Sequence, residues 1–240
     1  MSKVKKLLYA EFCFDGFGNS YEAFKNIGRG GAVFESKGLL TTKMMGTGSG
    51  NGFSVIPDFK RYALLFFFDS EKSVMAFINS NSLFNWYLTA SNQHLVTLLN
   101  PVNGHGKWGG DSTFEYERNA MNQNQPIAVI TRATIRTSRL VEFWWNVPKV
   151  SRFMQSTDAV HQVGIGEYPI FMQATFSIWT NRKALVDAAY RDTVHAEIVK
   201  KTRDRNWYKE ELFAEFMIDS ASFSGNLYSR LSKFDLQPLL

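Results

Sequence analysis

His195 is the residue of this chain whose type and position most directly suggest metal chemistry. It lies in TNRKALVDAAYRDTVHAEIVKKTRDRNW, residues 180–207, whose apolar spacing is typical of a long helix. Steps of three and four residues define one stripe that should face the body of the protein: Leu185, Ala188, Asp192, His195, Val199 and Thr202. An inward histidine is either a packed core residue or a ligand, and a single imidazole is a weak metal signal.

Two polar side chains in apolar strands are further candidates for catalysis or binding. Arg132 lies in IAVITRATI and Gln173 in QATFSIW, and strand alternation gives each a defined face. Their neighbours on these faces are Ile130, Thr134 and Arg136 for the first strand, and Thr175 and Ser177 for the second. A half-buried arginine is either a hydrogen-bond donor to a ligand or the partner of a carboxylate. The sequence does not decide which face of either strand would line a binding site.

The other chemistry-bearing residues give weaker signals. Cys13, the single cysteine, lies in an apolar strand, so a buried thiol is favoured over a thiolate ligand. Glu210 and Glu211 are expected in a solvated turn, because nothing nearby would raise a carboxylate pKa. The run GTGSGNG is followed by a strand and lacks a Lys-Ser/Thr pair, unlike a phosphate-binding loop. Of the remaining histidines, His94, His105 and His161, His105 is expected to be exposed in a glycine-flanked loop.

The composition is that of a globular chain with many aromatic residues. Its 240 residues are 45% hydrophobic and include 21 Phe, six Trp and nine Tyr, which can build a large core or an apolar pocket. The net charge of +5 is spread along the chain, which argues against nucleic-acid binding. The first apolar run, LLYAEFCF, is too short for a membrane span and contains Glu11. We therefore expect a soluble, cytoplasmic protein without a signal peptide.

The order of predicted elements repeats along the chain. Up to residue 88 the predicted order is strand, helix, strand, strand and helix, and a further strand is predicted near Phe114–Glu117. After a polar linker at 119–126, the same order returns from Ile127 to Asp219, with a proline interruption at Pro148 in its first helix. In each half the second strand ends in a Gly-X-Gly sequence, which is Gly46-Thr47-Gly48 in the first half and Gly164-Ile165-Gly166 in the second. In each half the helix after the third strand begins with Ser or Asn.

These parallels predict an α+β fold of tandem ferredoxin-like repeats, with sheets that face each other in a dimeric α+β barrel-like architecture. The halves would span 1–118 and 127–219, followed by a tail at 220–240 that covers the fold or a partner. Chance similarity of a common element order is the alternative. When the corresponding helices of the two halves are counted from their caps, Asn85 and Trp86 of the first half lie near the position of His195. Only the second half therefore supplies a histidine at this position.

Several aromatic residues suit either a pocket wall or a core. Trp108 and Trp179 are candidates of this kind. Phe143, Trp144 and Trp145 are consecutive on a helix and cannot all face one way, so at least one should be exposed or at an interface. Such a residue indicates a subunit or substrate contact, and the exposed aromatics are compatible with a homodimer. A peripheral membrane contact is a separate partner that we consider.

Eight sequence blocks together resemble one enzyme family. They are MGTGSGNGF, GKWGG, TRATIR, FWWNVP followed by Ser151, VGIGEYP, QATFSIW, the histidine of TVHAEI, and WYKEELFAEF. Each block is unspecific by itself. Their order and spacing, from about Leu7 to Phe216, resemble the spheroidene monooxygenase family of carotenoid-biosynthetic enzymes.

The resemblance implies an enzyme that uses haem b, O2 and an electron donor to introduce a keto group near the end of a linear carotenoid. It implies that His195 binds the haem iron, in an apolar slot whose lining includes Phe176 and Trp179. Arg132 and Gln173 would then be catalytic donors beside the bound oxygen, or Arg132 would bind a haem propionate. The alternatives are another haem activity, such as aldoxime dehydration, peroxidation or haem binding alone, and a non-haem interaction protein in which His195 is core packing.

Overall fold

The computed structural model describes residues 3–110, 114–118, 124–168, 170–191 and 200–240. Its strands are β1 Lys6–Cys13, β2 Leu39–Gly48, β3 Pro57–Phe68, β4 Gln93–Gly106, β5 Ile127–Ile135, β6 His161–Tyr168, β7 Met172–Trp179 and β8 Tyr208–Ser224. Its α-helices are α1 Phe17–Arg29, α2 Glu71–Ser80, α3 Ser82–Ala90, α4 Leu140–Ser156 and α5 Arg182–Arg191. A 3-10 helix, Asn226–Lys233, follows β8.

The eight strands form a closed barrel in the order β1-β3-β2-β6-β7-β5-β8-β4. Each half contributes four consecutive antiparallel strands, and the halves join edge to edge. One seam pairs Gly46 with Gly166 and Thr47 with Ile165, between β2 and β6. The other pairs β4 with β8. The predicted α+β, barrel-like fold is confirmed, and edge pairing leaves no open strand edge in the described sheet.

Alternation along the strands sends one set of side chains into the barrel. Tyr9 of β1 and Phe176 of β7 stack across the interior, with ring centroids 3.6 Å apart. Other inner residues include Leu7, Leu65, Phe67, Leu99, Ala128, Ile130, Val163, Ala174 and Phe216. The interior is therefore filled by packed side chains, which is how small barrels are stabilised.

Two helices begin at capping residues that the sequence offers. Ser70 caps α2 by accepting a hydrogen bond from the Ser73 amide, and Asn181 caps α5 by accepting one from the Ala184 amide at 2.9 Å. The expected interruption at Pro148 is wrong, because α4 continues through it. Pro148 lies on the exposed side of the helix, where water can solvate the carbonyl that loses its partner.

The region after residue 88 departs most from expectation. In place of a strand at Phe114–Glu117, the structure has an isolated bridge between Val4 and Phe114. The fourth strand is instead β4, which the sequence analysis did not identify because Pro101 and two glycines interrupt its apolar pattern. A register shift between Pro101 and Asn103 accommodates the proline in the sheet.

The last strand and the chain end close one end of the barrel. β8 continues to Ser224, so Ser220–Ser224 pair with β4. The 3-10 helix that follows buries Tyr228 and Leu231 against the inner residues. No helix among the described residues has the length and apolar content of a transmembrane span.

Candidate functional site

Part of the outer face of the second-half sheet is exposed where the matching face of β1 in the first half is buried. Thr131, in the middle of β5, is exposed, and it pairs with Thr175 on β7 and Phe213 on β8, which are half-buried. In the first half, the corresponding outward side chains of β1 are fully buried under the helices: Leu8, Ala10 and Phe12. We call the region above Thr131, Gln173, Thr175 and Phe213 the outer cleft.

Helix α5 borders the outer cleft and is fixed by polar contacts at its start. Arg182 donates from Nε to Oε2 of the buried Glu215 at 2.9 Å, which joins α5 to β8. Apolar side chains of α5 then pack on the sheet around Trp179: Ala184, Leu185 and Ala188. Leu185 and Ala188 begin the stripe that contains His195, so this stripe faces the sheet where it is described. His195 itself lies outside the described residues.

A loop from the first half reaches the outer face of the second-half sheet. Asn51, between β2 and β3, accepts a hydrogen bond from the Gly164 amide at 3.0 Å, and its side-chain oxygen accepts one from Ser151 of α4 at 3.2 Å. Gly52 has φ +90, and a Cβ there would lie 2.2 Å from the Gly164 carbonyl oxygen. The glycines of GTGSGNG therefore permit close backbone contact between the halves.

The outer cleft combines small and polar side chains of the sheet with apolar side chains of α5. Small residues of the sheet lie next to Gln173: Ala133 on β5 and Gly166 on β6. The α5 residues that face this sheet are alanine and leucine. Small sheet residues that face an apolar helix would accommodate a flat ligand such as haem. Among the described residues, no three His, Cys, Asp or Glu side chains converge as a metal site.

The predicted site residues divide between two faces of the sheet. Gln173 and Trp179 lie on the outer face, where Trp179 donates from Nε1 to the Ser177 hydroxyl at 2.9 Å. Phe176 and Arg132 point into the barrel. The structure thus leaves Gln173 at the outer cleft and packs Trp179 in a buried cluster further along the same face. Arg132 and Phe176 lie on the opposite side of the same strands.

Arg132 closes the end of the barrel opposite Tyr228. Its guanidinium is buried, binds the Glu210 carboxylate and lies 5.6 Å from the centre of the Trp108 ring. Glu210 also accepts hydrogen bonds from the amides of Gly109 and Gly110, at 3.0 and 2.7 Å. The GKWGG motif is thereby fixed to β5 and β8.

The expectation that Glu210 lies in a solvated turn is wrong. Glu210 belongs to β8 and is partly buried against Arg132. Burial acts to raise its pKa, but the Gly109 and Gly110 amides and the Arg132 charge outweigh burial, and the pKa is lowered. Glu210 is thus a structural anion. Its distant partner explains why local sequence could not identify it, whereas Glu211 is exposed.

A buried polar cluster at the Tyr228 end was missed by the sequence analysis. The Glu11 carboxylate bonds to Tyr9, Arg61, His161 and Tyr228 at 2.7, 2.7, 2.9 and 2.9 Å. The available signal was a lone glutamate on the inward side of a strand that is otherwise apolar. Burial alone would raise the Glu11 pKa, but His161 and Arg61 lower it well below the usual range. This cluster joins β1, β3, β6 and the chain end.

The remaining residues behave largely as expected. Burial, with a smaller effect of the Glu11 charge, raises the pKa of Cys13 to about 11, so its thiol is neutral at physiological pH. His105 is exposed, as predicted. Trp145 is 78% exposed, which confirms that the three consecutive aromatics of α4 do not share one environment.

Proteins named spheroidene monooxygenase are similar to the chain, and no family model matches it. The protein from Rhodobacter capsulatus is 32% identical over 178 residues, covering 73% of this chain and 74% of that protein. The protein from Rubrivivax gelatinosus is 30% identical over 181 residues, covering 75% and 69%. The protein from Cereibacter sphaeroides is 32% identical over 178 residues, covering 73% of this chain, which spans about half, 55%, of that relative.

Two solved structures share the fold. A crystal structure of aldoxime dehydratase has a TM-score of 0.64 at 10% identity, covering 92% of this chain and 84% of that chain. An aldoxime dehydratase in complex with butyraldoxime has a TM-score of 0.57 at 10% identity, covering 90% and 80%. At such identity the likeness is one of fold alone. The relatives of R. capsulatus and R. gelatinosus are matched over more than two thirds of their length, and the chain belongs to the spheroidene monooxygenase family.

Proposed function

We propose that this chain is a haem-dependent monooxygenase that oxidises a carotenoid, or a similarly long apolar molecule, with O2 and an external electron donor. The observation that carries the proposal is the outer cleft, where Thr131 is exposed although the matching outward side chains of β1 are buried under helices. Membership of the spheroidene monooxygenase family supports the substrate class.

In this proposal His195 would hold the iron of haem b through its imidazole. Its support is the orientation of α5, whose residues Leu185 and Ala188 pack towards the sheet. Bound haem would supply O2 binding and oxidation of the substrate. Phe213 would form an apolar wall of the cleft, and the buried Trp179 would support α5 from the sheet side.

Gln173 is the amide donor that this proposal assigns to the oxygen side of the cleft. It lies on the outer face of β7 beside Gly166, and its partner across the strand pair is Ala133. A neutral amide can donate a hydrogen bond to charge that develops on oxygen. Arg132 acts as a positioning residue, since its guanidinium is engaged by Glu210 inside the barrel.

Haem binding is tested by expression with added haem followed by visible spectroscopy. The wild-type protein should show a Soret band, and His195→Ala should lose it at equal protein concentration, because the imidazole is the proposed iron ligand. His94→Ala is the matched control, since His94 lies at the far end of β4, where its ring contacts the Ser91 hydroxyl at 3.4 Å, and its loss should leave the band unchanged. A wild-type protein without the band after reconstitution, or a fully retained band in folded His195→Ala, would reject haem ligation by His195.

The reaction is tested by product analysis with a linear carotenoid, a reductant and ¹⁸O2. A labelled ketone that requires both haem and reductant is expected. Another haem activity would leave the carotenoid unchanged. Gln173→Leu should lower turnover by roughly 10²-fold with the Soret band retained, because loss of one oxyanion donor has about that effect.

The comparison with Arg132→Met decides which face of the sheet meets the reacting oxygen. Arg132→Met should reduce stability, through the loss of the Glu210 contact, more than it reduces turnover per folded molecule. Unchanged turnover in Gln173→Leu together with a large loss in folded Arg132→Met would place the reaction on the barrel side of β5 and contradict the assignment.

A further inference from the structure

Large apolar side chains are exposed together on α4 and on the turn between β6 and β7. Val141 is 85% and Trp145 is 78% exposed, and the turn adds Tyr168, Ile170 and Phe171, which are also exposed. Trp144 donates a hydrogen bond from Nε1 to the Ile170 carbonyl at 3.2 Å, which joins the helix to the turn. We call these five exposed residues the docking face.

The helical period shows that this exposure is a regular feature of α4. Val141, Trp145, Pro148, Lys149 and Arg152 are all exposed and lie on one side of the helix. The opposite side is buried and includes Asn146, Val147 and Met154. Helix α4 thus has an inner face that is already packed, and its outer apolar stripe has no partner among the described residues.

The charge on the exposed side of α4 is positive. Lys149 and Arg152 continue the exposed stripe, and Arg136 follows Ile135, whose amide bonds the Phe171 carbonyl at 2.8 Å. Among the described side chains of α4, no exposed one is a carboxylate. Glu142 is engaged on the inner side by Arg205 at 2.8 Å and by the Trp207 indole at 3.2 Å.

The turn itself is held in an unusual conformation that presents its side chains outwards. Ile170 has φ +87, a region that β-branched residues rarely adopt. The Phe171 amide bonds the Tyr168 carbonyl at 3.2 Å, and the Trp144 indole binds the Ile170 carbonyl. These contacts fix the apolar tip in the position at which it is exposed.

The docking face is continuous with the elements that border the outer cleft. The turn leads into β7, where Gln173 follows Met172. Helix α4 contacts the cleft-side loop through Ser151 and Asn51. A ligand that arrives at the docking face is therefore close to the outer cleft.

We propose that the docking face binds the surface of an anionic lipid bilayer. Trp145 and Tyr168 would enter the headgroup region, where aromatic rings with polar tips are favoured, and Phe171 would reach the apolar layer below it. Lys149 and Arg152 would contact lipid phosphates. A second copy of the chain fits less well, because a symmetric interface would bring two basic rims together. The inference rests on the proposed function in one respect, which is that membrane binding would give the enzyme access to an apolar substrate dissolved in the bilayer.

The test is co-sedimentation of the full chain with vesicles of phosphatidylcholine alone and of phosphatidylcholine with phosphatidylglycerol. Binding is expected on the anionic vesicles and should weaken as salt is added. Lys149→Gln and Arg152→Gln should each lower the partition coefficient about fivefold, because a basic residue near such a surface contributes about 1 kcal/mol. Val141→Ser with Trp145→Ser should lower it at least tenfold.

Phe17→Ser is the matched control. Phe17 is 85% exposed on α1, like Val141, but it lies between acidic residues, Asp15 and Glu22. Its substitution should leave vesicle binding unchanged. Equal loss in Phe17→Ser and in the α4 variants would overturn the assignment, as would a wild-type protein that remains in the supernatant.

Sedimentation velocity of the same variants tests the alternative occupant. A wild-type dimer that becomes a monomer in the Val141→Ser, Trp145→Ser double variant would assign the docking face to a second copy and reject the bilayer. Vesicle binding does not require haem, so a protein that binds vesicles and lacks a Soret band would reject the proposed function and leave the docking face standing.

Discussion

The buried carboxylate of Glu11 is stabilised by charged and polar partners from distant parts of the chain. Arg61 and His161 lie on β3 and β6, and Tyr228 lies beyond β8. Removing one partner of such a cluster leaves the others buried without compensation. The residues that close this end of the barrel therefore depend on one another.

The first prediction concerns Glu11→Gln at neutral pH. The substitution should lower the free energy of unfolding by roughly 3 kcal/mol, because Arg61 loses a buried anionic partner. Urea unfolding followed by tryptophan fluorescence measures this change. Glu115→Gln is the control, since Glu115 is exposed, and its effect should stay within about 0.5 kcal/mol. Equal effects of the two substitutions would refute a stabilising Glu11 cluster.

The same carboxylate gives a prediction for acid pH. The folded protein holds the pKa of Glu11 below its usual range, whereas the unfolded chain should titrate near about 4.3. Above that pH the full stabilisation is present; below it the unfolded state takes up the proton first, so the free energy of unfolding falls. The fall between pH 5 and pH 3 should be shallower in Glu11→Gln than in the wild type, and parallel curves would contradict the assignment.

At the scale of elements, the β2–β3 loop determines how the first half reaches the outer cleft. Asn51 binds both β6 and α4, and Gly52 passes so close to Gly164 that neither position has room for a side chain. A glycine run that resembles a flexible loop in sequence is therefore a contact between the two repeats.

The loop yields a prediction with an internal control. Gly50 and Gly52 both have positive φ, +73 and +90, but a Cβ meets nothing within 4 Å at Gly50 and lies 2.2 Å from the Gly164 oxygen at Gly52. Gly50→Ala should cost about 1 kcal/mol of stability for the backbone conformation. Gly52→Ala should cost roughly 1–3 kcal/mol more for the steric overlap. Urea unfolding of both variants measures the difference, and similar costs would mean that the close approach is unimportant.

Across the whole molecule, the two seams make the repeats into one barrel. The β2–β6 and β4–β8 pairings leave neither half with a free sheet edge in the described barrel, and the inner residues of both halves pack in one core. Neither repeat can lose its structure without exposing the edges and the inner face of the other.

Unfolding should therefore be a single cooperative transition. Far-ultraviolet circular dichroism and tryptophan fluorescence should give coincident urea curves, and the calorimetric and van't Hoff enthalpies should agree. Tryptophans in both halves, including Trp86 and Trp179, make the fluorescence sensitive to each repeat. Two separated transitions would show that the repeats are independent domains.

The local sequence was sufficient to predict those helices and strands that depend on apolar periodicity and on capping residues. Apolar alternation and the capping residues Ser70 and Asn181 predicted the repeated element order. The consecutive aromatics of α4 predicted an exposed ring, and the order of eight sequence blocks predicted the family. These signals arise within a few residues of the chain, so no tertiary contact is needed to interpret them.

Only the tertiary structure decided which face of each strand meets which environment. Strand alternation gave Arg132 and Gln173 a face each, but closure of the barrel turned Arg132 inwards to Glu210 and left Gln173 on the outer cleft. The Glu11 cluster likewise joins residues up to 217 positions apart. The local sequence determines which residues of a strand share a face, because side chains alternate along the strand. The order and register in which the strands join determine which residues of other strands they meet.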